Sequence, residues 1–308
     1  MNAACLRHPS QWVYLQLYLP RELPTAEIVP LADSILLGPL APVFEAWERE
    51  GLTWFFIRFL DEGYHLRLRV HAGAERLPQL EAMLADALSE MLASGAQLRG
   101  AVYEPEVDKY CGLHGNSLAE QHFRASSALS LRILADAATP LSARALRLLA
   151  AMLNAAGLSP LLAASWCRAH YNYWAHCFGA PPDCEEQDAA MFARSGGSIA
   201  ASVNAQPDTG WLAQWRVAIG HDLDRLRAAE RAGLLEDPAR VRGDGHQRYQ
   251  YPLTELSMLP NFWHMLCNRL GVSIRQEMRL AYCLMRHLGE QHGIEPFTMK
   301  ISLIPEQT

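Results

Sequence analysis

Two runs of sequence, LTWFFIRFL (52–60) and YHLRLRV (64–70), constrain this chain more than any other feature. Both are rich in aromatic and β-compatible residues, and Asp61-Glu62-Gly63 between them is a hairpin-type connection, so they predict two antiparallel strands. Residues two apart on a strand share a face. His65, Arg67 and Arg69 therefore project to one side, and Leu66, Leu68 and Val70 to the other. In the partner run Phe55, Ile57 and Phe59 alternate with Trp54, Phe56 and Arg58. Pairing apolar face with apolar face predicts that Arg58 joins the His65-Arg67-Arg69 row. Three guanidiniums and an imidazole on one face repel one another unless an anion sits among them. Such a row suits a carboxylate or phosphate, which arginine forks bind bidentately. A solvated outer face neutralised by surface acids is the plainer reading of the hairpin alone.

Elements on either side extend the hairpin into a known order. Residues 11–19 (QWVYLQLYL) alternate as a strand, and 26–50 carry helically spaced apolar residues broken at Gly38-Pro39 and Pro42, giving one or two helices. Residues 77–94 read as an amphipathic helix begun by Pro78, and 98–103 as a further strand. The order β-α-β-β-α-β is the ferredoxin-like arrangement, with helices on one side of an antiparallel sheet. From 116 onward the pattern is helical: 117–137, 142–156, 160–178, 185–203, 210–232, 254–268 and 273–292, separated by Pro, Gly or polar breaks. The long polar stretch 236–252 has the character of a lid, and 297–304 alternates as a strand. The expected class is α+β. A ferredoxin-like part at 1–115 and a helical part at 116–308 are expected to pack as one composite domain.

Composition narrows the function classes. A net charge of −6 argues against a surface given over to nucleic acid. No apolar run approaches the ~20 residues of a membrane span, and residues 1–10 lack the apolar stretch of a secretory signal. Cys5, Cys111, Cys167, Cys177, Cys184, Cys267 and Cys283 are odd in number and form no CxxC pair, which fits a reduced cytoplasm better than a disulfide framework or a zinc site. No nucleotide- or metal-binding motif is visible, so no cofactor and no metal are expected. Lys109 and Lys300 are the only lysines beside 25 arginines. Lys109 thus stands out, because composition favours Arg there.

Lys109 lies in YEPEVDKYCG (103–112), where the last predicted strand ends and the helical half begins. Glu106 and Lys109 are three apart, so one helical turn brings their side chains together. This block, WFFIRFLDEGYHLRLRV (54–70) and FWHMLCNRLG (262–271) resemble three blocks of one family, in its order and across nearly the whole chain. The family is the C-terminal domain of class I lanthipeptide dehydratases, also found alone as a thiopeptide-type bacteriocin biosynthesis protein. The resemblance implies an enzyme acting on a ribosomally made precursor peptide with a leader. In full-length dehydratases a larger N-terminal part transfers glutamate from glutamyl-tRNA to Ser or Thr, and the C-terminal domain eliminates it to leave dehydroamino acids. A chain of 308 residues is expected to perform only that second step, without using tRNA, beside a separate glutamylation protein.

Residue by residue, the resemblance puts the elimination machinery at Arg67, Arg69, Glu106, Lys109 and His264. Arg58, His65, Tyr110, Asn268 and Arg269 become substrate-binding positions. A base must take a Cα proton, for which His264 or Lys109 is suited, while Arg67 and Arg69 stabilise developing negative charge. These groups are expected to converge on a single pocket. The chain departs from the family at Lys109, where the motif has Arg, at Cys111, where it has the first of two glycines, and at Ser126, where it tends to have Asp. These departures leave room for two alternatives. One is a pyridine synthase that joins two dehydroalanines in a formal [4+2] cycloaddition with loss of the leader. The other is a non-catalytic subunit that binds the precursor. Trp166, Tyr171, Tyr173 and Trp174 on one predicted helix suit an aromatic cavity for the cycloaddition, or ordinary core packing.

Overall fold

The computed structural model describes residues 12–20, 22–136, 138–204, 210–237 and 254–296. The expected lid at 236–252 lies almost wholly outside them, and the expected strand at 297–304 entirely so. The chain divides into two compact units: one holds the residues up to Pro105 with Phe123–Ala135 and Asn268–Gly271, the other Glu106–His122, Asp136–Cys267 and the residues from Val272 on.

In the first unit the elements follow the expected order. They are β1 (Trp12–Tyr18), α1 (Thr25–Leu37), α2 (Ala41–Arg49), β2 (Thr53–Phe59), β3 (His65–His71), α3 (Leu77–Ala87), α4 (Ser89–Ala93) and β4 (Gln97–Gly100). The sheet runs β2-β3-β1-β4, antiparallel throughout, which is the ferredoxin-like α+β arrangement read from the sequence. The Gly38-Pro39 break separates α1 from α2. The single helix expected over 77–94 is interrupted at Leu88, whose ψ of 5° lies outside the helical range. One sheet face is the core: Val13, Leu15, Leu17, Trp54, Phe56, Leu66, Leu68 and Val70 pack with Ile35, Leu36, Phe44, Trp47, Leu80 and Leu84 of the helices. Phe44 stacks on Trp54 at 4.4 Å. At about 25 cal/mol per Å², such burial is what orders the hairpin.

The register corrects the expected place of Arg58. Phe59, Ile57 and Phe55 stand opposite His65, Arg67 and Arg69, and Arg58 stands opposite Leu66 on the core face. Both faces of β2 are apolar, so matching apolar to apolar could not select the register. Arg58 is tolerated inside because its guanidinium pairs with Asp33 and its Nε donates to the Arg269 carbonyl at 3.0 Å.

The second unit is helical, with α5 (Gly112–Ala135, of which residues 112–122 belong here), α6 (Leu141–Ala155), α7 (Pro160–Cys177), α8 (Cys184–Asn204) and α9 (Trp211–Arg231). A π-helical turn at Thr254–Met258 leads into α10 (Leu259–Arg269, of which residues 259–267 belong here), and α11 (Ile274–His292) follows. Ser273 and Gln276 close a capping box at the start of α11. Helix α11 packs along α7 and also against α8 and α6. Asp188, fully buried on α8, receives both terminal nitrogens of Arg275 at 2.6 and 2.7 Å, Arg279 Nε at 3.0 Å and the Tyr171 hydroxyl at 3.1 Å, which ties α7, α8 and α11 together. Among the described residues no single helix is long and apolar enough to cross a membrane.

Candidate active site

Alternation on β3 creates the first group of polar residues, on the sheet face away from the α1–α4 core. Arg67 lies with its guanidinium carbon 3.4 Å from the centre of the Phe59 ring. Arg69 is surrounded by Tyr14, Tyr103 and Phe55 at 4.5, 4.9 and 5.3 Å. Flat guanidiniums on aromatic faces keep their charge while shedding water. His65 Nδ1 lies 2.9 Å from the Gly63 carbonyl, and its Nε2 accepts from Arg67 Nε at 3.1 Å. Burial, with Arg67 beside it, outweighs the Gly63 bond and lowers its pKa, so the imidazole is neutral. The crowding of charge expected on this face is thereby reduced, since Arg58 is elsewhere and His65 is uncharged. Sequence reading missed Arg99 of β4, which like Arg67 pairs across with Gln16 and stacks on Tyr18 at 4.2 Å.

Arg58, Asn268 and Arg269 gather in the same unit. Asn268 holds both backbone groups of Arg58, and Arg269, wholly buried, donates from Nε to Ser127 Oγ at 2.9 Å and covers the Phe123 ring at 4.7 Å. Ser126, at the position where the motif tends to have Asp, is buried and donates to the Phe123 carbonyl.

The second unit carries Glu106, Lys109, Tyr110 and His264. The Glu106 carbonyl accepts from the backbone N–H groups of Lys109 and Tyr110 at 2.9 and 3.1 Å, and the Lys109 ammonium lies 3.8 Å from the Glu106 carboxylate, so the expected one-turn pairing is present. Lys109 is nearly buried and Tyr110 fully so. Cys111 takes the left-handed conformation, φ 57°, and Gly112 follows at φ 86°. A side chain thus stands at a left-handed position that ordinarily favours glycine. Burial, with Glu230 and two further acids, pushes the Cys111 thiol up to about 12, so it is no nucleophile. A Cβ on Gly115 would stand 1.9 Å from the Tyr110 carbonyl oxygen, so only glycine allows α5 to rise beneath this turn. The Lys109 carbonyl accepts from Asn261 Nδ2 at 3.4 Å, which sets the turn against α10 one helical turn before His264.

His264 is about one-eighth exposed. Its Nδ1 lies 2.9 Å from Glu277 Oε2, and the other carboxylate oxygen lies 2.7 Å from His170 Nε2. Trp174 packs on His264 at 4.5 Å and Trp166 stacks on His170 at 4.9 Å. The aromatic helix is therefore α7, and Trp166 and Trp174 are buried against these imidazoles, while buried Tyr171 bonds Asp188 instead. Sequence reading missed Glu277 and His170. The available signal was an acid on the apolar stripe of α11, with Met278, Ala281 and Leu284 around it.

The sequence pattern of a family described as lantibiotic biosynthesis dehydratase C-term matches residues 12–288. No curated protein matches the chain. Solved structures share the fold. The tRNA-dependent lantibiotic dehydratase MibB from Microbispora sp. 107891 is 22% identical over 92% of this chain, with a TM-score of 0.57. The match takes in 28% of that longer protein. TbtD, a pyridine synthase from thiomuracin biosynthesis, is 16% identical, with 92% of this chain and 100% of that one covered and a TM-score of 0.65. TsrL is 18% identical, with 92% and 95% covered and a TM-score of 0.66. With the family pattern spanning residues 12–288, the chain belongs to the lantibiotic biosynthesis dehydratase C-terminal family.

Proposed function

We propose that this protein eliminates glutamate from glutamylated Ser or Thr residues of a ribosomally made precursor peptide, leaving dehydroalanine or dehydrobutyrine. The observation that carries the reading is His264. It occupies the family motif's histidine position, keeps part of its ring accessible and is held at Nδ1 by a buried carboxylate. The imidazole takes the Cα proton, the C–H electron pair becomes the Cα=Cβ bond, the Cβ–O bond breaks and glutamate leaves as its carboxylate. Arg67 and Arg69 are assigned to anionic groups of the substrate, because their guanidiniums are held in place on aromatic rings. Lys109, with Glu106 beside it, is assigned to the departing carboxylate. His65 and Tyr110 support these positions. The partners are the leader-bearing precursor and a separate glutamylation protein, in the cytoplasm, with no direct use of tRNA.

A second reading, pyridine formation by [4+2] cycloaddition, is favoured by Lys109 at the motif's arginine position and by the full coverage of TbtD. Mass spectrometry of the precursor after incubation separates the two. Loss of a glutamyl adduct supports elimination, loss of the whole leader with ring formation supports cycloaddition, and no change with either substrate supports a binding subunit.

A further inference from the structure

The cluster around Glu277 contains more than the motif predicts. Glu277 is completely buried between two imidazoles. Burial alone would raise its pKa, but His264 and His170 outweigh that and hold the carboxyl down at about 2. At neutral pH it is a carboxylate, so each imidazole must turn an N–H toward it. His170 is fixed independently, since its Nδ1 is buried with no partner among the described residues. His170 therefore turns its Nε2 N–H toward the carboxylate. The Trp174 indole N–H lies 3.1 Å from that same nitrogen, but the ionised oxygen at 2.7 Å is the stronger partner. Of the two imidazoles, His264 is the one with an accessible edge.

We propose that Glu277 and His170 are positioning residues for His264. Glu277 holds the His264 proton on Nδ1, which leaves the Nε2 lone pair as the base. His170 holds the second carboxylate oxygen, so the carboxylate cannot turn away from His264. When His264 takes a proton, the resulting imidazolium forms against a carboxylate already in place, the logic of a histidine oriented by a buried acid. Helices α7, α10 and α11 each supply one member, which explains why no single stretch of sequence displays the set. The proposal deepens the elimination reading and rests on it for what the base acts upon, but the tautomer does not depend on the substrate.

The test is nitrogen-15 NMR of the full-length protein labelled at histidine, alongside elimination kinetics on glutamylated precursor. In the wild type His264 is expected to show Nδ1 protonated and Nε2 bare at neutral pH. Glu277→Gln places an amide against Nδ1 and is expected to shift the proton to Nε2, with kcat falling about 10²–10⁴-fold and KM nearly unchanged. Glu277→Asp is expected to keep the tautomer and recover part of the rate. His170→Gln is expected to broaden or move the His264 signals and cost about tenfold in kcat, an effect well inside the general acid–base range. His264 protonated on Nε2 in the wild type, or unmoved by any of the three substitutions, overturns the proposal. A wild type with the expected tautomer that eliminates nothing overturns the elimination reading and leaves the positioning role standing.

Discussion

The side-chain amide of Asn268 closes on the backbone of Arg58 from both sides. Its Oδ1 accepts from the Arg58 N–H at 2.9 Å, and its Nδ2 donates to the Arg58 carbonyl at 2.7 Å. Strand β2 is an edge of the sheet, and an open edge invites pairing with other chains. Two positions earlier, Ser127 Oγ accepts from the Phe56 N–H at 3.4 Å, so side chains take the place of a missing neighbour strand.

Asn268→Ala leaves both Arg58 backbone groups without these partners. It is expected to destabilise the protein by about 2–3 kcal/mol. Urea denaturation measures it, and Asn268→Asp should lose less, because it keeps the acceptor for the N–H.

Glu277 makes stability sensitive to acid. Its folded pKa of about 2 lies below the ordinary 4.5. The stabilisation is therefore fully present above pH 4.5 and is lost as pH falls toward 2, on the order of 3 kcal/mol in all. Urea midpoints followed between pH 6 and 2.5 should fall more steeply in the wild type than in Glu277→Gln.

Lys109→Arg restores the motif's fork beside Glu106. If the ammonium serves the departing carboxylate, a second charge-assisted hydrogen bond of about 1.5–3 kcal/mol becomes available. Elimination is then expected to quicken by about tenfold in single-turnover measurements. An unchanged or lower rate removes Lys109 from that role.

The strands and most helices were legible because period-two and helical patterns report which side of an element is buried. Trp12–Tyr18, Thr53–Phe59 and Pro160–Cys177 lie within a residue or two of their expected bounds. Register was not legible at β2, since Trp54 and Phe56 on one face are as apolar as Phe55 and Phe59 on the other. Arg58 went inside because Asp33 and the Arg269 carbonyl were waiting there, and neither is near it in sequence. Of the candidate site, the pairing of Glu106 with Lys109 was legible because both sit in one block. His170 and Glu277 reach His264 from two other helices, and only packing brings them together.

The central claim is that His264 is the base of an elimination. Its most direct measurement is mass spectrometry of a glutamylated precursor peptide incubated with the wild type and with His264→Ala. The account predicts loss of glutamate from the wild-type reaction and an adduct that persists with the variant, its rate lower by about 10²–10⁴-fold. Equal loss of glutamate in both, or an adduct untouched by the wild type, would contradict it.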